Sequence, residues 1–109
     1  MRFLPKRTVS FDPNYSNKEG QSYLHFFAHN GEAAWISLYA SAGADLNKRD
    51  RHGMTPLHYA SLTGQREAVL VLLKLGADAG IKNNNGNKPA DIARKCNHHD
   101  IAVLIEPNP

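Results

Sequence analysis

Cysteine is almost absent from this chain. Cys96 stands alone in 109 residues, so no internal disulfide framework holds the fold, and the composition suits a reducing compartment. Long apolar runs are missing too. The longest, Ala68 to Leu73, falls far short of the roughly 20 residues that span a bilayer. Met1 to Ser10 carries Arg2, Lys6, Arg7 and Pro5 and lacks the apolar stretch of a signal peptide. The expectation from these absences is a cytoplasmic chain, with the nucleus also open to it, and no membrane partner. A large charge of one sign is also lacking, because 13 Lys and Arg against 10 Asp and Glu leave a net charge of +3. That balance is mildly basic and well short of what a protein living on DNA or anionic lipid carries.

Catalytic equipment is equally scarce. No glycine-rich phosphate loop appears, and no Ser, Thr or Cys has the motif context of a nucleophile. The densest cluster of potential metal ligands, Cys96-Asn97-His98-His99-Asp100, straddles an expected turn and has no second Cys/His pair at zinc spacing. The expectation is a single domain that is not an enzyme and that uses no metal and no cofactor.

What the chain has is repetition. Glycines recur at Gly20, Gly53 and Gly86, and both spacings (53 − 20 and 86 − 53) are 33 residues. The same offset relates Leu24 to Leu57, His25 to His58, Gly31 to Gly64 and Ala44-Asp45 to Ala77-Asp78. In the middle unit Thr55 is a good helix N-cap and Pro56 suits the first helical position, where a missing N–H costs nothing. A short helix should therefore run to about Gly64, and a second from about Gln65 to Leu75, before Gly76. With Thr55-Pro56-Leu57-His58, Ala60, Gly64, the apolar run Val69 to Leu73 and Gly76-Ala77-Asp78, this unit resembles the ankyrin-repeat family, whose period is about 33 residues.

The resemblance implies an all-α solenoid of three stacked helix-turn-helix repeats, at about 17–49, 50–82 and 83–106. An extended or flexible arm, 1–16, would precede it, and a short tail, 107–109, would follow. The first unit departs more from the pattern than the middle one, with Ser22-Tyr23-Leu24-His25 in the capping stretch and bulky Phe26, Phe27, Trp35 and Tyr39. The third loses the Thr and the His, and places Glu106 where the middle unit has Leu73, as a terminal capping repeat with a polar outer face should.

The resemblance also implies recognition of another protein through a concave surface made by the loop tips and the first helices. On that face lie Arg49, Arg51, His52, Met54 and Leu62 of the second unit and Lys82, Asn84, Asn85 and Asn87 of the third. Lys48, Arg49, Arg51 and Lys82 make its centre basic, and Met54 and Tyr59 supply contact area, so an acidic peptide or acidic protein patch is the expected partner. The same residues also read as solvated turns, since asparagine tolerates tight turns. Capture of an anion or nucleic acid by the basic tips is a further reading, limited by the lack of a stacking platform.

A separate signal lies ahead of the repeats. Arg7-Thr8-Val9-Ser10-Phe11 resembles the docking motif of protein phosphatase 1 regulators, which implies the phosphatase catalytic subunit as a partner held through Arg7, Val9 and Phe11. In an extended strand Val9 and Phe11 project from one face, as addition to a sheet edge requires. Ser10, three residues after Arg7, is a candidate phosphorylation site that would place negative charge between those two side chains. Alternatively, Val9 and Phe11 cover the open end of the first repeat.

Overall fold

The computed structural model describes residues 11–107. Six helices follow one another: α1 Tyr23–Asn30, α2 Ala33–Ser41, α3 Pro56–Thr63, α4 Arg66–Lys74, α5 Pro89–Lys95 and α6 His99–Ile105. They form three helix-turn-helix pairs in which α3 packs between α1 and α5, while α2, α4 and α6 make a second layer behind. This is the all-α stack expected from the sequence.

Local chemistry explains where each helix begins. Pro56 opens α3, and the Thr55 hydroxyl accepts from the backbone N–H of His58 at 3.3 Å. The His58 Nδ1 in turn accepts from Thr55 N at 3.0 Å, so two backbone donors that the helix cannot satisfy are satisfied locally. Ser22 and His25 repeat the second contact at α1, with Ser22 N donating to His25 Nδ1 at 2.9 Å. At α5 a carboxylate substitutes, and Lys88 N donates to Asp91 Oδ2 at 2.9 Å. The first helices end on left-handed residues at equivalent positions, Gly31, Gly64 and Asn97, with φ of 75°, 69° and 64°. Asparagine is the non-glycine residue that best tolerates this conformation.

Between pairs the chain makes three equivalent tips. The side-chain oxygens of Asn17, Asp50 and Asn83 each accept two backbone N–H groups, those of Glu19 and Gln21, His52 and Met54, and Asn85 and Asn87. The tips are then bonded to each other, Arg51 N to Glu19 O at 2.9 Å and Asn84 N to His52 O at 3.0 Å. This register reaches further back than Asn17. Asp12, Asp45 and Asp78 each accept the N–H two residues on, and the amide oxygens of Asn14 and Asn47 accept from Asp45 N and Asp78 N. Residues 12–16 thus follow the repeat pattern and pack on the first pair, which moves the start of the ordered stack ahead of the boundary at 16 read from the sequence.

The core is apolar and continuous. Leu24, Ile36, Leu57, Val69, Leu72 and Ile101 are at most 1% exposed, each burial stabilising by about 1.5–3 kcal/mol. Ala60, Ala68 and Ala93, all at 0%, keep side chains short where neighbouring pairs approach.

Candidate functional site

The tips and the first helices enclose a concave side, and its floor is apolar. Phe26 on α1, Tyr59 on α3 and Ile92 on α5 share one register position at 33-residue intervals. Between α1 and α3 lies a concavity of about 250 Å³ lined by Gln21, His25, Phe26, His29 and Tyr59. Phe26 remains 46% exposed at its wall, and Leu62, one turn beyond Tyr59, 38%.

Tyr59 is held in place from several sides. Its hydroxyl donates to Asp50 Oδ2, and the rings of His25 and His29 meet its ring edge-on at centroid distances of 5.5 and 6.1 Å. Burial and the hydrogen bond to the Asp50 carboxylate push the phenol up to about 12, so it stays a neutral donor. Beneath it, His25 Nε2 donates to Met54 O at 2.9 Å, and His58 Nε2 makes the same bond to Asn87 O at 2.8 Å. Donation from Nε2 is the tautomer left once each Nδ1 accepts from a backbone N–H. Burial lowers the pKa of both imidazoles. They are neutral connectors between one unit and the next, with no free nitrogen for catalysis.

The residues expected to bind divide into two groups. Arg49, Met54, Asn84 and Asn87 are occupied in holding the tips together. Arg49 donates to Gly53 O, Lys82 O and Asn84 Oδ1 at 3.2 to 3.4 Å. Met54 and Asn87 lend their carbonyls to the histidines, and Met54 Sδ also accepts from Asn83 Nδ2. Asn84 Nδ2 donates to Arg51 O at 2.9 Å. His52, Leu62, Lys82 and Asn85 are exposed, and so is Arg51, although it pairs with Glu19 at 2.6 Å. Sequence reasoning passed over Phe26, His29, Ile92 and Lys95. The signal was available, because Phe26 and Ile92 lie 33 residues either side of Tyr59 and Lys95 lies 33 after Leu62.

The rims of this floor are cationic. On the tips Lys18 and Arg51 share a register position, and the Lys82 carbonyl accepts from Arg49. At the far end of the first helices Lys95 takes the register of His29 and Leu62. Among the described residues Lys18, Lys48, Lys82 and Lys95 have no carboxylate within 4.0 Å, while Glu19 is engaged with Arg51 and Asp50 is buried.

The Cys96 to Asp100 cluster is dispersed by the fold. Asn97 caps α5, His98 packs on Gly64 so closely that a Cβ there would fall 2.7 Å from its ring, and Asp100 faces Arg66 at 3.9 Å. Among the described residues no three His, Cys, Asp or Glu side chains gather as a metal site, and no helix is long and apolar enough to cross a membrane. Of the docking motif, Arg7, Val9 and the adjacent Ser10 lie outside the described residues. Phe11 rests edge-on against Tyr39 at 5.3 Å and stays 59% exposed.

A family model described as ankyrin repeats (many copies) matches residues 38–93, just over half of the 109-residue chain. No curated protein matches.

Proposed function

The chain belongs to the ankyrin-repeat family, whose members generally mediate protein–protein interaction, and on that premise we propose that it is a non-catalytic module that holds a partner protein on its concave face. The observation that carries this reading is the partly exposed Phe26, Tyr59 and Leu62 floor set between cationic rims. Aromatic side chains in a concavity are what interfaces use as anchors, and surrounding charge orients and steers the partner. The contact residues are Arg51, His52, Leu62, Lys82 and Asn85 together with Phe26, His29 and Tyr59. Arg49, Met54, Asn84 and Asn87 act behind them by fixing the tips.

The reading is tested by placing a photo-crosslinking amino acid at Leu62 on the concave side or at Val103 on the outer helix α6. A partner crosslinked from position 62 and not from 103 supports it. Crosslinking from 103 alone moves the interface to the outer layer.

A second reading has residues 7–11 dock on the protein phosphatase 1 catalytic subunit. The exposure of Phe11 favours it, since a docking side chain must leave its own fold uncovered. Direct binding of the purified phosphatase to the chain, lost in Val9→Ala/Phe11→Ala and kept when Phe26 is changed to Ala, is the expected result. Binding insensitive to the double variant removes this reading.

A further inference from the structure

We infer that the concave face takes a short acidic segment built around one large apolar side chain, which seats between Phe26 and Tyr59 while carboxylates within about three positions of it reach the cationic rims. The inference rests on the concave-face reading and specifies its partner. Its basis is complementarity on three sides of one concavity. The floor offers the partly exposed Phe26 ring and the edge-held Tyr59, in a space of about 250 Å³, which suits a single Leu-, Phe- or Trp-sized side chain and not a folded surface. The Tyr59 hydroxyl is committed to Asp50, so the floor recognises shape and apolarity and not a charged head group.

The tip-side rim fixes the spacing. Gln21, which lines the floor, lies two residues after Glu19, and two residues of chain span at most about 7 Å. Lys18, the residue before Glu19 and three before Gln21, has no carboxylate within 4.0 Å among the described residues, so an unpaired positive group stands within about three residues' reach of the seat. Lys18 supplies unpaired charge on this side, and Lys95 supplies it on the other. Glu19, the half-buried carboxylate of this rim, and Arg51 neutralise each other, so the charge left to meet what enters is that of Lys18, Lys82 and Lys95. A basic or neutral segment would leave Lys18, Lys82 and Lys95 unanswered, whereas an acidic one answers them and gains in association rate.

The experiment is selection of a phage-displayed random peptide library on the intact chain, followed by fluorescence-anisotropy titration of one labelled selected peptide. The expected selection is enriched in peptides with a Leu, Phe or Trp and Asp or Glu within three positions. Their binding should weaken about tenfold or more in Phe26→Ala and in Lys95→Glu, and should fall as salt is raised. Phe26→Ala exchanges a half-exposed ring, so circular dichroism should report the same fold, and Arg51→Glu serves as a second variant. Enriched peptides that are basic or uncharged, or binding that ignores both variants, overturn the inference. So does equal binding by a single-stranded oligonucleotide, which would make the face a general anion trap. A library that yields no peptide also overturns it, while crosslinking from position 62 can still succeed and leave the broader reading standing.

Discussion

The two ends of the stack are built from opposite chemistry. At the N-terminal end the positions that the middle unit fills with Pro56, Ala60, Ala68 and Leu72 carry Tyr23, Phe27, Trp35 and Tyr39. Ala68 is fully buried beneath the first unit, whereas Trp35 is 49% exposed. The rings pack on one another, with Phe27 against Tyr39 at 4.9 Å and against Trp35 at 5.9 Å, and Phe11 is added to the edge. At the C-terminal end the positions of Thr55, His58, Ser61 and Leu73 carry Lys88, Asp91, Arg94 and Glu106, and these form ion pairs across the face at 2.7 to 3.1 Å. A repeat in the middle is buried on both sides and uses small or neutral side chains. A terminal repeat must meet water, and here one end does so by covering its core with large rings and the other by replacing apolar groups with charge. The first solution adds buried apolar area. The second adds solubility and little energy.

That contrast predicts its largest effect at the aromatic end. Phe27 is half-buried at the centre of the ring cluster, and Phe27→Ala should cost about 3 kcal/mol, toward the low end for a large aromatic truncation. In a domain of this size that lowers the melting temperature by more than 10 °C. With three units there is little redundancy, so the loss should appear as one cooperative transition in thermal or urea unfolding. A loss smaller than that of any substitution in the ionic end would erase the distinction.

A second contrast runs through the connections between units. The two that exist are each made by a buried neutral histidine at the start of a first helix, whereas the last unit, with no unit beyond it to bond, has Asp91 at the same register. His58→Ala leaves the buried Thr55 N without its acceptor and removes one of the two donors to Asn87 O, which keeps Asn83 N, so a loss of about 2 kcal/mol in urea unfolding is expected. Acid should reproduce part of this without mutation. Because burial lowers the pKa of His25 and His58 from the ordinary 6.5, the unfolded chain binds protons more readily than the folded one below that value. Their contribution is complete above about pH 6.5 and is lost as pH falls from there through the folded values. Hydrogen exchange at pH 5.5 against pH 7.5 should therefore show faster opening of α1 and α3, whose first turns contain these imidazoles, than of α5, whose first turn is closed by Asp91. Uniform acceleration along the chain would mean that the stack opens only as a whole.

The fold was legible because its rules are local and recur. Glycine at 33-residue intervals, Thr55-Pro56 at a helix start and Gly64 at its end each specify backbone conformation by themselves, and the helices fall within a residue or two of where those signals put them. The start of the ordered stack was harder to see. Phe11-Asp12-Pro13-Asn14 shares only Asp12 and Asn14 with Asp45 and Asn47 of the next unit, and their function in turning the chain shows only once the hydrogen bonds are formed. The face was half legible. Charge at the tips marked the cationic rim, but whether a side chain is spent on its own fold depends on partners about 33 residues away, as with Arg49 and Lys82 O. Phe26 and Phe27 read alike as aromatic bulk, and only helical phase separates the ring on the concave side from the ring at the end of the stack.

The smallest expected effect tests the ionic end. Glu106 closes that face by accepting from Lys88 Nζ at 2.8 Å and from Arg94 Nη2 at 2.7 Å. The hydrogen bonds from Lys88 and then Arg94 hold its carboxyl below the ordinary 4.5. A carboxylate so placed stabilises the folded chain above about pH 4.5, and that contribution disappears as pH falls through the lowered folded value. Glu106→Gln keeps the shape and removes the charge. Because the group is near water, and salt screens it, the melting temperature at pH 7 should drop by only a few degrees. The difference between variant and parent should shrink in 1 M NaCl and shrink again as the pH is taken below 4.5. A drop as large as that of Phe27→Ala would mean that the ion cluster holds α5 and α6 together as firmly as the rings hold α1 and α2. The two ends would then differ in chemistry and not in energy.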